Sequence, residues 1–335
     1  MSGVEFDKLA QSLPARRHRL LPVLGLSLSL LAGCMTTPSG QGPSGDAYLV
    51  VEVNTGKILA AQNGNQRRQV ASLTKIAAVT VVLDWAKLTN VDLGQYISVP
   101  YTVTQLGGAN PLQLQPGDEI TIRDAIYSSI MGSDNASAET LASHVGLDLL
   151  RRQGGAGSPV DAFVKEMNAL AAGHGCRNTR FTNAHGLDHF GKVPYSTAAD
   201  MARLTIYALQ KPSFTFYTSQ KTRRISFRRG GQVLSFTVTN TNKLLGQYNI
   251  DGVKTGLTAA AGQCLVISAP RPSSFQNLGD GRTMVTKHRL VVVVLGSTNR
   301  FDQAVYLLNQ GWQNYDAWTA AGRQILTSQE VLSGF

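Results

Sequence analysis

Hydrophobic and polar positions follow two different periods along the chain, and their order predicts the fold. The strand-like run Tyr48–Val53 is followed by the turn sequence Asn54–Lys57 and by a second apolar run, Ile58–Ala61, which predicts an antiparallel hairpin. A helix is predicted to begin at Ala71 and Ser72; it is apolar nearly all round and therefore buried. From 121 to 173 the apolar residues recur at helical spacing.

Strand patterns return after about residue 220. Four further strands and a closing helix are predicted, at Arg224–Phe227, Val233–Thr239, Gly262–Ser268, Arg289–Gly296 and Arg300–Gly311. Strands at both ends of the chain with helices between them indicate an α+β fold, an antiparallel sheet flanked by helices. We expect a folded body at 47–318, with sheet regions at about 47–98 and 220–318, a mostly helical insert at 99–219, and a tail at 319–335.

The N-terminal residues have the pattern of a targeting segment. A basic cluster at 16–19 precedes the short apolar stretch Leu20–Ala32, which is too short to span a bilayer and fits a signal peptide over residues 1–33. The stretch ends in Leu-Ala-Gly-Cys, which resembles a bacterial lipobox with Cys34 as the site of lipid attachment. An incidental cysteine after an ordinary signal is the alternative. Residues 34–46, rich in Pro, Gly and Ser, read as a flexible tether.

Composition narrows the range of partners. The 335 residues are 43% hydrophobic and carry a formal net charge of +10, which favours anionic surroundings such as phospholipid or acidic wall polymers. The densest basic cluster, Arg223–Arg229, alternates with strand residues and predicts a hairpin rim, so we expect no nucleic-acid partner. Besides Cys34 the chain has Cys176 and Cys264, which we expect to be separate thiols, although an exported protein could join them.

Three short motifs carry the candidate chemistry. They are Ser72–Lys75, Ser133–Asn135 and Lys254–Gly256, which in this order give S-x-x-K, S-x-N and K-T-G, a set used by serine enzymes that penicillin acylates. On a helix, residues three apart share a face, so the Lys75 amine can take the proton of the Ser72 hydroxyl. The ordered set is far more specific than any one of its members.

The flanking residues extend this match, and the chain resembles the low-molecular-weight penicillin-binding proteins that act as serine-type D-alanyl-D-alanine carboxypeptidases. The resemblance runs from about Ala47 to Tyr315. It rests on the three motifs and on the segments Val70–Lys75, Phe163–Asn168, Thr179–Leu187, Tyr195–Ala202 and Asp251–Gly256. It implies a DD-peptidase/β-lactamase-like fold, peptidoglycan stem peptides ending in D-Ala-D-Ala as substrates, β-lactams as ligands, and no cofactor.

The resemblance also implies a role for each motif residue. Ser72 attacks the carbonyl of the penultimate D-alanine, and Lys75 is the general base, its pKa lowered by burial and by Lys254. Ser133 relays a proton to the leaving amine, and Asn135 orients Lys75. Residues of the third motif bind the substrate: Lys254 and Thr255 hold its terminal carboxylate, Gly256 belongs to the same strand edge, and the N–H groups of Leu257 and Ser72 form the oxyanion hole.

Two departures from the family's pattern bear on substrate binding. Carboxypeptidases of this type often have Asn-Arg-Asn before the third motif and histidine after it, whereas this chain has Thr241 and Leu257 at those positions. Only about 20 residues follow Tyr315, so the second β-rich domain and amphipathic C-terminal helix of many relatives are not expected. A lipid on Cys34 would replace that helix as the membrane attachment.

Several residues that suggest other chemistry have ordinary interpretations. His185 is expected to be a structural histidine in a turn, and the remaining histidines of the folded body lack ligand spacing, so no metal site is predicted. Glu166 lies in an amphipathic helical pattern rather than in the E-x-x-L-N loop of class A β-lactamases.

The main hypothesis is a lipid-anchored carboxypeptidase on the outer membrane, facing the periplasm, since Met35 rather than aspartate follows Cys34. A DD-endopeptidase is the strongest rival; a β-lactamase and a non-catalytic muropeptide-binding lipoprotein are weaker ones.

Overall fold

A computed structural model describes residues 46–188 and 193–332. The predicted signal peptide, Cys34 and nearly all of the tether lie outside the described residues. Asp46, the last residue assigned to the tether, is already buried, and its carbonyl accepts hydrogen bonds from Gln62 and Asn63. Asp46 therefore belongs to the folded body and not to the tether.

An antiparallel five-stranded sheet forms the centre of the body. Its strands lie in the order β2-β1-β9-β8-β7. Their bounds are β1 Ala47–Glu52, β2 Ile58–Gln62, β7 Gly252–Thr258, β8 Gly262–Asn277 and β9 Thr283–Ser297. The predicted hairpin at the start of the body is β1 and β2, and the third motif lies on the edge strand β7.

Both faces of this sheet are covered, which explains the uninterrupted apolar run in β9. Val291, Val293 and Leu295 face one hydrophobic cluster, whereas Leu290, Val292 and Val294 face another. Because successive strand residues point to opposite faces, a strand buried on both sides must be apolar at every position. The first cluster contains the helical part of the protein, and the second is closed by the last helix.

Seven α-helices lie in the described part of the chain, and the predicted buried helix, helical region 121–173 and closing helix are among them. They are α1 Thr74–Thr89, α2 Ile122–Met131, α3 Asn135–Arg152, α4 Pro159–Gly173, α5 Ala198–Leu209, α6 Pro212–Thr218 and α7 Arg300–Ala320. Residues Thr74–Leu83 of α1 are all buried, as its apolar pattern predicted. The α+β class is confirmed.

A second sheet, of four antiparallel strands, was not predicted. It consists of β3 Tyr96–Ser98, β4 Glu119–Thr121, β5 Thr222–Arg229 and β6 Gln232–Thr239. The predicted strands at 224–227 and 233–239 belong to this sheet and not to the central one. β4 lies inside the expected helical insert, and its three residues offer too short a pattern for sequence reasoning to detect.

The last elements are longer than predicted. Strands β8 and β9 extend as a paired ribbon through Asn277 and Thr283, beyond their buried apolar parts. Helix α7 was expected to end at Gly311 but continues to Ala320. Gly311 does not end the helix because its role is close packing: a Cβ there would come 2.6 Å from Val50 Cγ1 of β1.

Two further expectations concern the described residues. Cys176 and Cys264 are both buried and are not bonded to each other, as predicted. No helix in the described ranges is long and apolar enough to cross a membrane.

Candidate active site

The Ser72 hydroxyl lies at the entry to the largely buried helix α1. Ser72 is the middle residue of a 3₁₀ turn, Ala71–Leu73, that leads directly into α1. A helix N-terminus presents free N–H groups and the positive end of the helix dipole. The turn is held in an uncommon conformation, since Ala71 has a φ of 48°.

Lys75 connects the three segments that meet beneath Ser72. Its Nζ lies 3.0 Å from Ser72 Oγ and donates to Asn135 Oδ1 at 2.7 Å and to the carbonyl oxygen of His185 at 2.7 Å. The side chain is completely buried. Three oxygen atoms therefore hold the Lys75 amine in position, and one of them, Ser72 Oγ, is the candidate nucleophile.

Burial lowers the pKa of Lys75 to about 7, against the effect of Asp134, which raises it. The ordinary value is 10.5, so the neutral amine that a general base requires is abundant at neutral pH. The sequence analysis also expected a contribution from Lys254. The repulsion between the two ammonium groups instead lowers the pKa of Lys254. Burial lowers that pKa most, and the charges of Lys75 and Arg300 lower it further, well below its ordinary value.

The second motif forms the loop between α2 and α3. Ser133 has a φ of 62° and lines the cleft beside Ser72. Asp134 is fully buried and caps α3, accepting from the backbone N–H of Ser137 and from the hydroxyls of Ser128 and Ser137. Asn135 Nδ2 donates to the carbonyl of Gly107, which fixes its amide oxygen toward Lys75. The middle residue of the motif therefore anchors the loop.

The third motif presents its residues along the edge strand β7. Lys254 is buried and donates to the carbonyl of Thr255 at 2.9 Å. The Thr255 hydroxyl lies 2.6 Å from the hydroxyl of Thr241, which also reaches the carbonyl of Met131. Thr241 stands where related carboxypeptidases often have arginine, so at this position the cleft is neutral.

Gly256 allows β7 to pass close to the nucleophile. A Cβ at this position would lie 2.8 Å from the carbonyl oxygen of Val70 and 3.2 Å from the backbone nitrogen of Ser72. Any larger residue would push the strand away from the Ser72 turn. The third motif thus requires glycine at this position because there is no room for a side chain between β7 and the Ser72 turn.

Arg300 is a site residue that the sequence analysis did not single out. It lines the cleft, and its Nη1 donates to the carbonyl of Gly256 at 2.6 Å, whereas its buried Nε has no hydrogen-bond partner. One signal was available: Arg300 opens α7, and a cation in the first turn of a helix is electrostatically unfavourable unless something else requires it. The carbonyl of His185 was also missed, because a backbone contact leaves no side-chain signature.

These residues surround a cleft of about 210 Å³. The predicted residues Ser72, Ser133, Asn135, Thr255, Gly256 and Leu257 line it, together with Thr241 and Arg300. Lys75 and Lys254 are buried and are not among the residues that line it. Leu257 is 63% exposed at the rim.

The other residues considered for a catalytic or metal-binding role lie outside the cleft or make structural hydrogen bonds. Glu166 is on α4 and lines a different pocket, with Trp85 and Leu170. His185 is buried, and its Nδ1 accepts from the backbone N–H of Leu187. Among the residues that the structure describes, no group of three or more His, Cys, Asp or Glu side chains could hold a metal ion.

Comparison with known protein families shows which family the chain belongs to. The D-alanyl-D-alanine carboxypeptidase model, peptidase S11, matches residues 35–275. The chain therefore belongs to this family of serine hydrolases.

Some relatives are named D-alanyl-D-alanine endopeptidases and others D-alanyl-D-alanine carboxypeptidases. A D-alanyl-D-alanine endopeptidase of Pseudomonas aeruginosa is 31% identical over 75% of this chain and 78% of its own length. D-alanyl-D-alanine carboxypeptidase DacC of Escherichia coli is 32% identical over 83% of this chain and 64% of its own length. The chain covers 53% of the carboxypeptidase DacF of Bacillus subtilis, at 30% identity.

Solved structures show the same fold. Penicillin-binding protein D2 of Listeria monocytogenes, in its ampicillin-bound form, aligns with a TM-score of 0.63 and 26% identity over 79% of this chain and 96% of its own. The Streptomyces K15 DD-transpeptidase aligns with a TM-score of 0.64 and 26% identity over the same shares of the two chains.

Proposed function

We propose that the protein is a serine-type D-alanyl-D-alanine carboxypeptidase that trims peptidoglycan stem peptides. The observation that carries the proposal is the 3.0 Å contact between Ser72 Oγ and a buried Lys75 amine whose pKa is about 7. A hydroxyl next to a neutral amine can attack a carbonyl while giving up its proton.

The reaction follows from this arrangement. Ser72 Oγ forms a bond to the carbonyl carbon of the penultimate D-alanine, and its proton passes to Lys75 Nζ. The N–H groups of Ser72 and Leu257 stabilise the oxyanion. Ser133 relays the proton to the departing nitrogen, so D-alanine leaves as a neutral amine and the peptide remains as an ester on Ser72. Water then cleaves the ester with Lys75 as base.

The third motif and Arg300 meet at the side of the cleft that would receive the leaving residue. Lys254 and Thr255 hold the terminal carboxylate in this proposal, and Arg300, which lines the cleft, supplies a positive charge. A carboxylate that accepts from an arginine and a lysine forms charge-assisted hydrogen bonds, which are the stronger kind.

Covalent labelling tests the nucleophile. The full-length protein should react with fluorescent penicillin at Ser72, and Ser72→Ala should abolish labelling. Ser235→Ala, on the exposed face of β6, is the matched control and should label normally. Equal labelling of the Ser72→Ala variant would refute the assignment.

A DD-endopeptidase is the second candidate. This chain spans 78% and 80% of the two relatives named endopeptidase, but 64% and 53% of the carboxypeptidases DacC and DacF. The neutral Thr241 is compatible with a leaving group that lacks a free carboxylate nearby. Release of monomers from cross-linked dimers, with terminal D-alanine retained, would favour this activity.

We further propose that Cys34 carries a lipid anchor and that the catalytic body faces the periplasm from the outer membrane. The support is the Leu-Ala-Gly-Cys sequence, Met35 after it, and the Pro/Gly/Ser-rich residues that follow. Cys34→Ala should lose lipid labelling and become soluble while still binding penicillin. If this variant still fractionates with the outer membrane, the acyl chains are not what holds the protein there.

A further inference from the structure

A second cavity, of about 320 Å³, lies beside the catalytic cleft. We call it the acidic groove. Its walls come from the 102–107 segment, α3, the start of α4 and the loop at 182–188. Three carboxylates line it, those of Glu139, Asp161 and Asp188. Of the described residues that line it, none is a lysine or arginine, although the whole chain carries +10.

Glu139 distinguishes the groove from an ordinary acidic surface. Its side chain faces the groove but the residue is only 5% exposed. Burial raises the pKa of its carboxyl, and a hydrogen bond from Thr102 opposes this effect. No ion pair within the described ranges includes Glu139. A buried carboxylate ordinarily has a cationic partner, because its removal from water is otherwise uncompensated.

A polar atom of the groove has no hydrogen-bond partner. Thr182 Oγ1 is buried without any hydrogen bond, and Thr182 lines the same cavity. The Thr182 hydroxyl and the Glu139 carboxylate can each accept a hydrogen bond from a ligand. The ligand that satisfies both is a compact group with several donors and a positive charge, which describes a primary ammonium.

The groove is connected to the catalytic machinery. Leu187 lines both cavities. The carbonyls of His185 and Gly107, two residues of the groove wall, accept from Lys75 and Asn135. Glu139 follows Asn135 by four residues on α3, which places their backbones about 6 Å apart along the helix. An extended side chain next to the reacting residue can therefore span the distance.

We propose that the acidic groove binds the side-chain ammonium of a diamino acid in the stem peptide, at the residue that immediately precedes the acylated D-alanine. Glu139 accepts the charge, Thr182 accepts a further hydrogen bond, and Asp161 and Asp188 add to the negative potential. This inference rests on the proposed function for the direction in which the peptide lies.

Competition against penicillin measures this binding without requiring turnover. The probes are two pentapeptides ending in D-Ala-D-Ala, one with lysine at the third residue and one with Nε-acetyl-lysine there. Each is tested for the concentration that halves the rate at which fluorescent penicillin acylates the full-length protein. The lysine peptide should be effective at a concentration about tenfold lower, as expected for one charge-assisted hydrogen bond.

The ratio of the two concentrations is compared within each variant, which removes general effects on the cleft. Glu139→Gln should bring the ratio close to one. Glu166→Gln, on α4 in a different pocket, is the matched control and should keep the wild-type ratio. Asp188→Asn changes an exposed residue and should lower the ratio partly, which keeps the test decisive if Glu139→Gln does not fold.

A wild-type ratio of one overturns the inference, and so does an unchanged ratio in Glu139→Gln. Failure of the lysine peptide to protect Ser72 overturns it as well. The proposed function is tested separately. If the lysine peptide protects better and no D-alanine is released, ammonium binding in the acidic groove is supported and carboxypeptidase activity is refuted. If the two peptides protect equally and D-alanine is released, carboxypeptidase activity is supported and ammonium binding in the acidic groove is refuted.

Discussion

The rate of acylation by penicillin should depend on pH through Lys75. As the pH falls below 7 the rate constant should decline, approaching about a tenfold loss for each pH unit well below the pKa, because protonated Lys75 cannot accept the Ser72 proton. Above pH 7 it should reach a plateau. The sign follows from the direction of the change, since burial lowers the pKa of an amine and leaves it neutral over a wider range.

The fraction of Lys75 that is neutral at each pH sets the size of this effect. With a pKa of about 7, roughly half of Lys75 is neutral at pH 7, whereas a lysine at its ordinary 10.5 would be neutral in roughly one molecule in 3,000. The net effect of burial, opposed by Asp134, thus destabilises the charged form by about 5 kcal/mol. At pH 5 about 1% is neutral, so acylation should be roughly 50-fold slower than at pH 7.

Stopped-flow measurement with fluorescent penicillin between pH 5 and 9 provides the profile. Lys75→Arg keeps the positive charge but remains protonated throughout, so it should be slower by about three orders of magnitude with no inflection near 7. Lys165→Arg, on the exposed side of α4, is the matched control. A flat wild-type profile from pH 5 to 8, or an inflection near 10, would refute the reasoning.

Three further predictions concern the supporting residues. Gly256→Ala should slow penicillin acylation at least tenfold with little change in melting temperature, because its Cβ displaces the Ser72 turn; an unchanged rate would contradict the close packing. Asp134→Ala should lower the unfolding free energy by about 2–4 kcal/mol in urea denaturation, since three buried donors lose their acceptor; a change below 0.5 kcal/mol would contradict the capping role. Arg300→Leu should raise KM for a pentapeptide more than for the same peptide with an amidated C-terminus, and equal changes for both peptides would remove Arg300 from carboxylate binding.

The elements with long, strong patterns could be predicted from the sequence. The apolar length of α1 identified a buried helix, and the spacing of Ser72, in the turn before α1, and Lys75, in its first turn, gave a contact that the structure places at 3.0 Å. The hairpin of β1 and β2 followed from two apolar runs around a turn. In these cases a local pattern and the tertiary environment require the same conformation.

Long-range pairing explains what could not be predicted. Strands β3 and β4 have three residues each and become strands only because β5 pairs with β4 across about a hundred residues of sequence. The carbonyl of His185 contributes to the site through its backbone, which any residue type could supply. Thr241 and Arg300 meet the third motif from separate elements, so only the folded chain shows that the two flank it.

The central claim is that Ser72 forms an acyl-enzyme with a stem peptide and releases its terminal D-alanine. Mass spectrometry of defined muropeptides after incubation with the full-length protein tests it most directly. Pentapeptide stems should become tetrapeptides with one D-alanine released for each, and Ser72→Ala should leave them intact. Unchanged pentapeptides, alongside cross-linked dimers cut to monomers, would contradict it.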